Sequence, residues 1–167
     1  MRNLTSSLAL PLILTLTTSA ADFSTGLNAY QKKDYSTAVK EWRPLAEKGD
    51  APSQFNLGLM YVDGLGVPQD YNQALSWFER SAQQDYAKAQ LNLGAMYASG
   101  KGVKRDYVQA YKWLNVCAAK GDHKCVAQRD LVAEKLKPKQ LATAQRLASE
   151  FTPKQEPGKS ELYNPDK

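Results

Sequence analysis

A chain of 167 residues, 43% hydrophobic and 23% charged, has a globular composition with room for one ordinary core, which excludes a disordered polymer and two independent domains. One histidine and two cysteines exclude most familiar metal clusters. The net charge of +5 is uneven: residues 22–99 hold 7 basic and 9 acidic side chains, residues 100–167 hold 14 and 8.

Residues 1–21 read as a secretory signal peptide. Arg2 supplies the positive start, Leu4 to Leu16 carry no charge, and Thr18-Ser19-Ala20-Ala21 offers small residues for cleavage near Ala20/Ala21. The apolar run is shorter than the ~20 residues of a membrane span, and no other long apolar run follows. The expected location is the periplasm or the exterior, with no membrane span.

Residues 22–50 read as an N-terminal capping hairpin. Phe23, Gly26, Leu27 and Tyr30 mark its first helix, and Asp34-Tyr35-Ser-Thr-Ala38 opens the second. Two units of 36 residues follow, 51–86 and 87–122, in gapless register. Ala51-Pro-Ser-Gln-Phe-Asn-Leu-Gly-Leu-Met-Tyr61 aligns with Ala87-Lys-Ala-Gln-Leu-Asn-Leu-Gly-Ala-Met-Tyr97, and Asp70-Tyr71-Asn-Gln-Ala74 with Asp106-Tyr107-Val-Gln-Ala110. In each unit a first helix ends at Gly64 or Gly100. A second begins at Asp70-x-x-Gln73 or Asp106-x-x-Gln109, a capping-box variant. Asp50 caps the helix after it, and Gly49, Asp85 and Gly121 end second helices.

Gly58 and Gly94 fall inside first helices, where glycine costs about 1 kcal/mol against alanine. The recurring cost implies close approach of a neighbouring helix, with Ala74, Ala82, Ala110 and Ala118 as complementary small surfaces. Residues 123–151 read as a degenerate C-terminal capping hairpin. Its last helix spans about 139–151, with Leu141, Ala144, Leu147, Ala148 and Phe151 on one side, and Pro-rich residues 152–167 form a disordered tail. No single hairpin buries both its faces, so the expected fold is all-α: about four hairpins stacked into a solenoid.

Few residues invite chemistry. Cys117 and Cys125 can face each other across the turn at Gly121-Asp122. In an oxidising compartment they read as a disulfide, the alternative being two separate buried thiols. A zinc site needs more ligands than these two and His123. His123, the only histidine, lacks a nucleophile to orient and reads as a surface residue. Gly64-x-Gly66 and Gly100-x-Gly102 lack the Lys-Ser/Thr of a phosphate loop and read as loop glycines with positive φ. Trp42, Trp77 and Trp113 read as core. Asn56 and Asn92 recur 36 apart, with Gln128 at the next equivalent position. Such amides both donate to and accept from a peptide backbone. With the varying Leu59, Asp63, Ala95 and Ser99, they form the candidate partner-binding set. No catalytic residue, metal or cofactor is implied.

These units resemble Sel1-like repeats, relatives of the tetratricopeptide repeat. The pattern is matched at Ala51, Gln54, Leu57, Gly58, Tyr61, Gly64, Gly66, Val67, Asp70, Tyr71, Ala74 and Trp77, and again 36 residues later. The resemblance implies a right-handed α-α superhelix, with two full repeats, whose concave groove binds a partner protein or peptide. It implies adaptor roles in the bacterial envelope or, for some exported members, immunity against a secreted effector. Exported members often show the same cysteine spacing. Alternative readings are a β-lactamase-like hydrolase, for which no Ser-x-x-Lys, Ser-Asp-Asn or Lys-Thr-Gly is present, and a peptidoglycan-binding protein. Nucleic acid is not expected, because the aromatics fall at core positions. The basic C-terminal half suits a peripheral anionic surface.

Overall fold

The computed structural model describes residues 21–154. The expected signal peptide, but for Ala21, and the tail beyond Lys154 lie outside the described residues. Eight helices and no strand occur among them: α1 (Phe23–Gln31), α2 (Tyr35–Glu47), α3 (Ala51–Asp63), α4 (Tyr71–Gln83), α5 (Ala87–Ser99), α6 (Tyr107–Ala118), α7 (His123–Ala133) and α8 (Pro138–Ser149). Each helix from α1 to α6 packs on the next, and α8 folds back on α6. The result is the expected stacked solenoid.

The helix starts are local chemistry. Asp22, Asp34, Asp50, Asp70, Asp106 and Asp122 each accept a backbone N–H from the first turn that follows, satisfying donors the helix leaves orphaned. Asp70 and Asp106 each take two such bonds, to the second and third residues on. The helix ends are equally local: Gly49, Gly64, Gly100 and Gly121 have positive φ, and Asp85 takes φ 70° where the flanking units have glycine.

Two glycine devices hold the fold, one closing each hairpin and one joining each unit to the unit before it. A Cβ on Gly58 would lie 2.5 Å from the Phe78 ring, one on Gly94 would lie 2.6 Å from Leu114 Cγ, and one on Gly26 would lie 2.5 Å from Trp42. Close approach is as expected, but the nearest partners are large side chains; of the alanines only Ala110 appears, its carbonyl oxygen 3.3 Å from a Cβ on Gly94. Large side chains at one repeat position (Trp42, Phe78, Leu114) lie against bare backbone. Trp42, Phe78 and Leu114 are at most 2% exposed, and burying such a side chain contributes roughly 1.5–3 kcal/mol. The second device is the loop. A Cβ on Gly66 would lie 2.5 Å from Tyr35 O, and one on Gly102 2.5 Å from Tyr71 O. Each loop thus rests on the backbone that opens the previous unit's second helix.

The core runs through the stack without closing. One cluster joins Trp42, Leu57, Met60 and Trp77; the next joins Phe78, Leu93, Met96 and Trp113; a third joins Tyr111, Leu114, Val132 and Ala144. The ends depart from the expected stripes. Leu27 and Tyr30 are exposed on α1, whose buried residues are Gly26 and Ala29. At the other end, α8 stops at Ser149. Phe151 lies outside the helix, since Pro153 disfavours helical backbone before it.

Candidate interaction groove

The first helices α5 and α7 lie side by side with a gap between them. Leu91 and Ala95 stand one turn apart on α5; Lys124, Ala127 and Gln128 occupy one face of α7. Together they line a cavity of about 390 Å³ that opens to solvent. Its floor is apolar: Leu91 is half-buried and packs against Cys117, Ala118 and Cys125. Its rim carries the Lys124 ammonium and the Gln128 amide, both on exposed residues. Such a surface offers apolar contact with a few orienting polar groups.

A covalent bond fixes the α7 wall. Cys117 of α6 and Cys125 of α7 are joined in a disulfide, with Cα atoms 5.8 Å apart and both side chains fully buried. Of the two readings of the sequence, the disulfide is therefore the one the fold contains. Asp122 caps α7 through Lys124 N–H and Cys125 N–H at 2.8 and 3.0 Å, setting the turn that aims Lys124.

The expected site residues divide. Ala95 and Gln128 line the cavity. Asn56, Leu59, Asp63, Asn92 and Ser99 do not. Asn56 is half-buried one unit away on α3. Asn92 donates through Nδ2 to Lys88 O at 2.9 Å, one turn back on its own helix. Leu59 packs against the central core cluster. Asp63 is exposed at the end of α3, and the Ser99 hydroxyl donates to Met96 O at 3.3 Å. The sequence reading missed Leu91, Lys124 and Ala127, although Leu91 lies four residues before Ala95 and Lys124 four before Gln128. His123 is exposed at the start of α7.

Elsewhere, buried polar side chains tie neighbouring helices together. Gln54 donates to Ala46 O at 3.0 Å and accepts from Gln84 Nε2 at 2.8 Å. Gln90 donates to Ala82 O at 3.2 Å and to Asp85 Oδ1 at 3.1 Å, leaving its carbonyl oxygen buried without a partner. The Ser81 hydroxyl donates to Ala51 O at 2.7 Å. Tyr97 donates to Glu79 at 3.0 Å; burial first, then the Glu79 charge, push its phenol up to about 12.

The Sel1 repeat family pattern matches residues 51–86 and 87–122. Among solved structures, the chain is similar to a protective antigen of uropathogenic Escherichia coli strains that displays an SLR fold. That match has 34% identity, a TM-score of 0.73, and coverage of 75% of this chain and 28% of that one. It is also similar to a Sel1 repeat protein from Oxalobacter formigenes, with 29% identity, a TM-score of 0.64, and coverage of 78% and 56% respectively. The chain thus spans less than two thirds of either structure. No curated protein sequence matches it.

Proposed function

The chain belongs to the Sel1 repeat family by its two central repeats, and from that premise we propose that it is a non-catalytic interaction module of the bacterial envelope or secreted space, holding a partner protein or peptide between α5 and α7. Sel1 repeats in general serve protein–protein contact. The single observation that carries the reading is the open cavity lined by Leu91, Ala95, Lys124, Ala127 and Gln128. It joins the second full repeat to the divergent α7, where the surface is least repetitive. An adaptor and an immunity protein would both use it this way. The buried disulfide supports an oxidising compartment, in keeping with the signal-like start. No described helix is long and apolar enough to cross a membrane.

The test is site-specific photocrosslinking in the native cell. A photoreactive residue at Ala95 or Gln128 is expected to capture one protein that the same residue at Asn72, exposed on α4, does not. Filling the cavity with Ala95→Trp should abolish capture at Gln128 while leaving the melting temperature unchanged. Equal capture at Asn72, or capture indifferent to Ala95→Trp, would refute the groove as the binding site.

A further inference from the structure

Beyond α8 the backbone turns back across the molecule. Phe151 sets its ring edge-on against Trp113, centroids 5.4 Å apart, and joins the cluster of Phe78, Leu93 and Trp113. Three residues on, Lys154 N–H donates to Gln83 O at 2.8 Å. Gln83 is the last residue of α4, so its carbonyl is one of those a helix end leaves free. Thr152 and Pro153 between them are exposed and non-helical. A short strap therefore lies over the second helices α6 and α4, held by one ring and one main-chain hydrogen bond.

Its charge does not suit the place. The Lys112 ammonium stands over the Trp113 ring, 4.4 Å from the centroid. Burial first, and then the charge of Lys154, hold Lys112 below the ordinary lysine value. Neither lysine has a carboxylate partner among the described residues. Like charges brought together weaken the contact that carries them. The strap's ring and main-chain bond fit this surface but its charge does not, and its tether to α8 keeps it there at high effective concentration.

We propose that residues 151–154 are a displaceable stand-in for a partner's peptide, and that the surface of Trp113, Lys112 and Gln83 takes an extended acidic peptide bearing an aromatic anchor and a carboxylate three residues later. The ring would occupy the Phe151 position. The backbone would donate to Gln83 O as the strap does. The carboxylate would meet Lys112 where the strap offers a lysine. Extended-peptide recognition of this kind divides affinity between main-chain bonds and a side-chain pocket.

The experiment is fluorescence anisotropy of a labelled peptide Ser-Glu-Phe-Thr-Pro-Glu against the full chain, with a Ser-Glu-Phe-Thr-Pro-Lys peptide as comparison. Phe151→Ala removes the anchor of the strap and leaves α8 intact; it is expected to bind the acidic peptide at least tenfold more tightly than the native chain. Lys154→Glu pairs the strap with Lys112 and should bind at least fivefold more weakly. The Lys-ended peptide should bind Phe151→Ala at least tenfold more weakly than the acidic one, and Lys112→Ala should remove that preference. No gain in Phe151→Ala, or equal binding of the two peptides, overturns the proposal. So does loss of binding on Ala95→Trp, which would place the peptide in the other groove. Should Phe151→Ala melt below the assay temperature, Lys154→Glu and the peptide pair on the native chain decide between the same two outcomes.

Discussion

The two central repeats and the C-terminal unit are held together by different means. Between α3 and α6 the packing is written in repeated positions: within each hairpin a glycine under a large side chain, and between units a loop glycine on the preceding backbone and a glutamine reaching the end of the helix before. In α7 and beyond, those positions have changed. Counting on by 36, Gly94 becomes Asp130, Gln90 becomes Val126, Tyr97 becomes Ala133 and Gly102 becomes Pro138. In their place stand the Cys117–Cys125 bond and α8 folded onto α6. The cysteines themselves sit at repeat positions, 36 after Ser81 and Ala89. Where Ser81 ties its hairpin by donating to Ala51 O, a disulfide sulfur has no proton to give, and the link runs forward to the next helix instead. A repeat that has lost its packing signature is thus kept in register by one covalent bond.

The sharpest way to break this contrast is to substitute a glycine in each region. Gly102→Ala forces φ +70° on an alanine and drives its Cβ into Tyr71 O. We expect a loss of roughly 3 kcal/mol or more and a melting temperature about 10 °C lower. Gly121→Ala, at φ +82° but with nothing within 4 Å, should cost only about 1–2 kcal/mol. Equal losses in calorimetry would mean that the loop contact does not hold the stack.

Next comes the covalent link. Cys117→Ser with Cys125→Ser should lower stability by about 2–3 kcal/mol in urea titration, mainly by loosening α7. Conversely, Ser81→Cys with Ala89→Cys places thiols at the matching positions one unit earlier, both fully buried. Mass spectrometry of the non-reduced protein should show a second disulfide. Two free thiols there would show that the α4–α5 and α6–α7 junctions differ in geometry.

Smaller effects separate the two repeats. Gln54→Leu breaks bonds at both ends of the amide and should cost about 2 kcal/mol. Gln90→Leu removes a carbonyl already buried without a partner and should cost about 1 kcal/mol or less. Tyr97→Phe should show the smallest change, seen as a pH dependence. The raised phenol keeps its proton in the fold when the unfolded chain, near pH 10, has lost it. Its contribution is therefore complete below about pH 10 and disappears as pH rises to about 12. Tyr97 is partly exposed and screened, so the difference from the native chain should be about 1 kcal/mol or less at neutral pH and vanish above pH 12.

Much of the fold is readable from the sequence because its instructions are local. Asp34, Asp50, Asp70 and Asp106 cap helices by bonds within their own first turn, and Gly64 and Gly100 end them by their own φ. Partners are less readable. Gly58 states that something must come close, not whether it is the methyl of Ala74 or the ring of Phe78. The groove is half visible. Ala95 and Gln128 stand out because they vary against a repeating background, whereas Lys124 repeats Lys88, 36 residues earlier, and so does not stand out by variation. Asn92 recurs at the right spacing, yet its amide turns to its own backbone, a choice that depends on rotamer and not on position. Phe151 continues a helical stripe in the sequence, but Pro153 releases it to Trp113.

The rest of Gly66 on Tyr35, and of Gly102 on Tyr71, has a bearing on how long such a molecule can be. Each joint needs only the unit immediately before it, so nothing in the middle of the stack counts how many units there are. A further 36-residue copy spliced after residue 86 would find the same seats on both sides. Length is then a property evolution can change by whole duplications, and the two ends, not the interior, decide where the column stops.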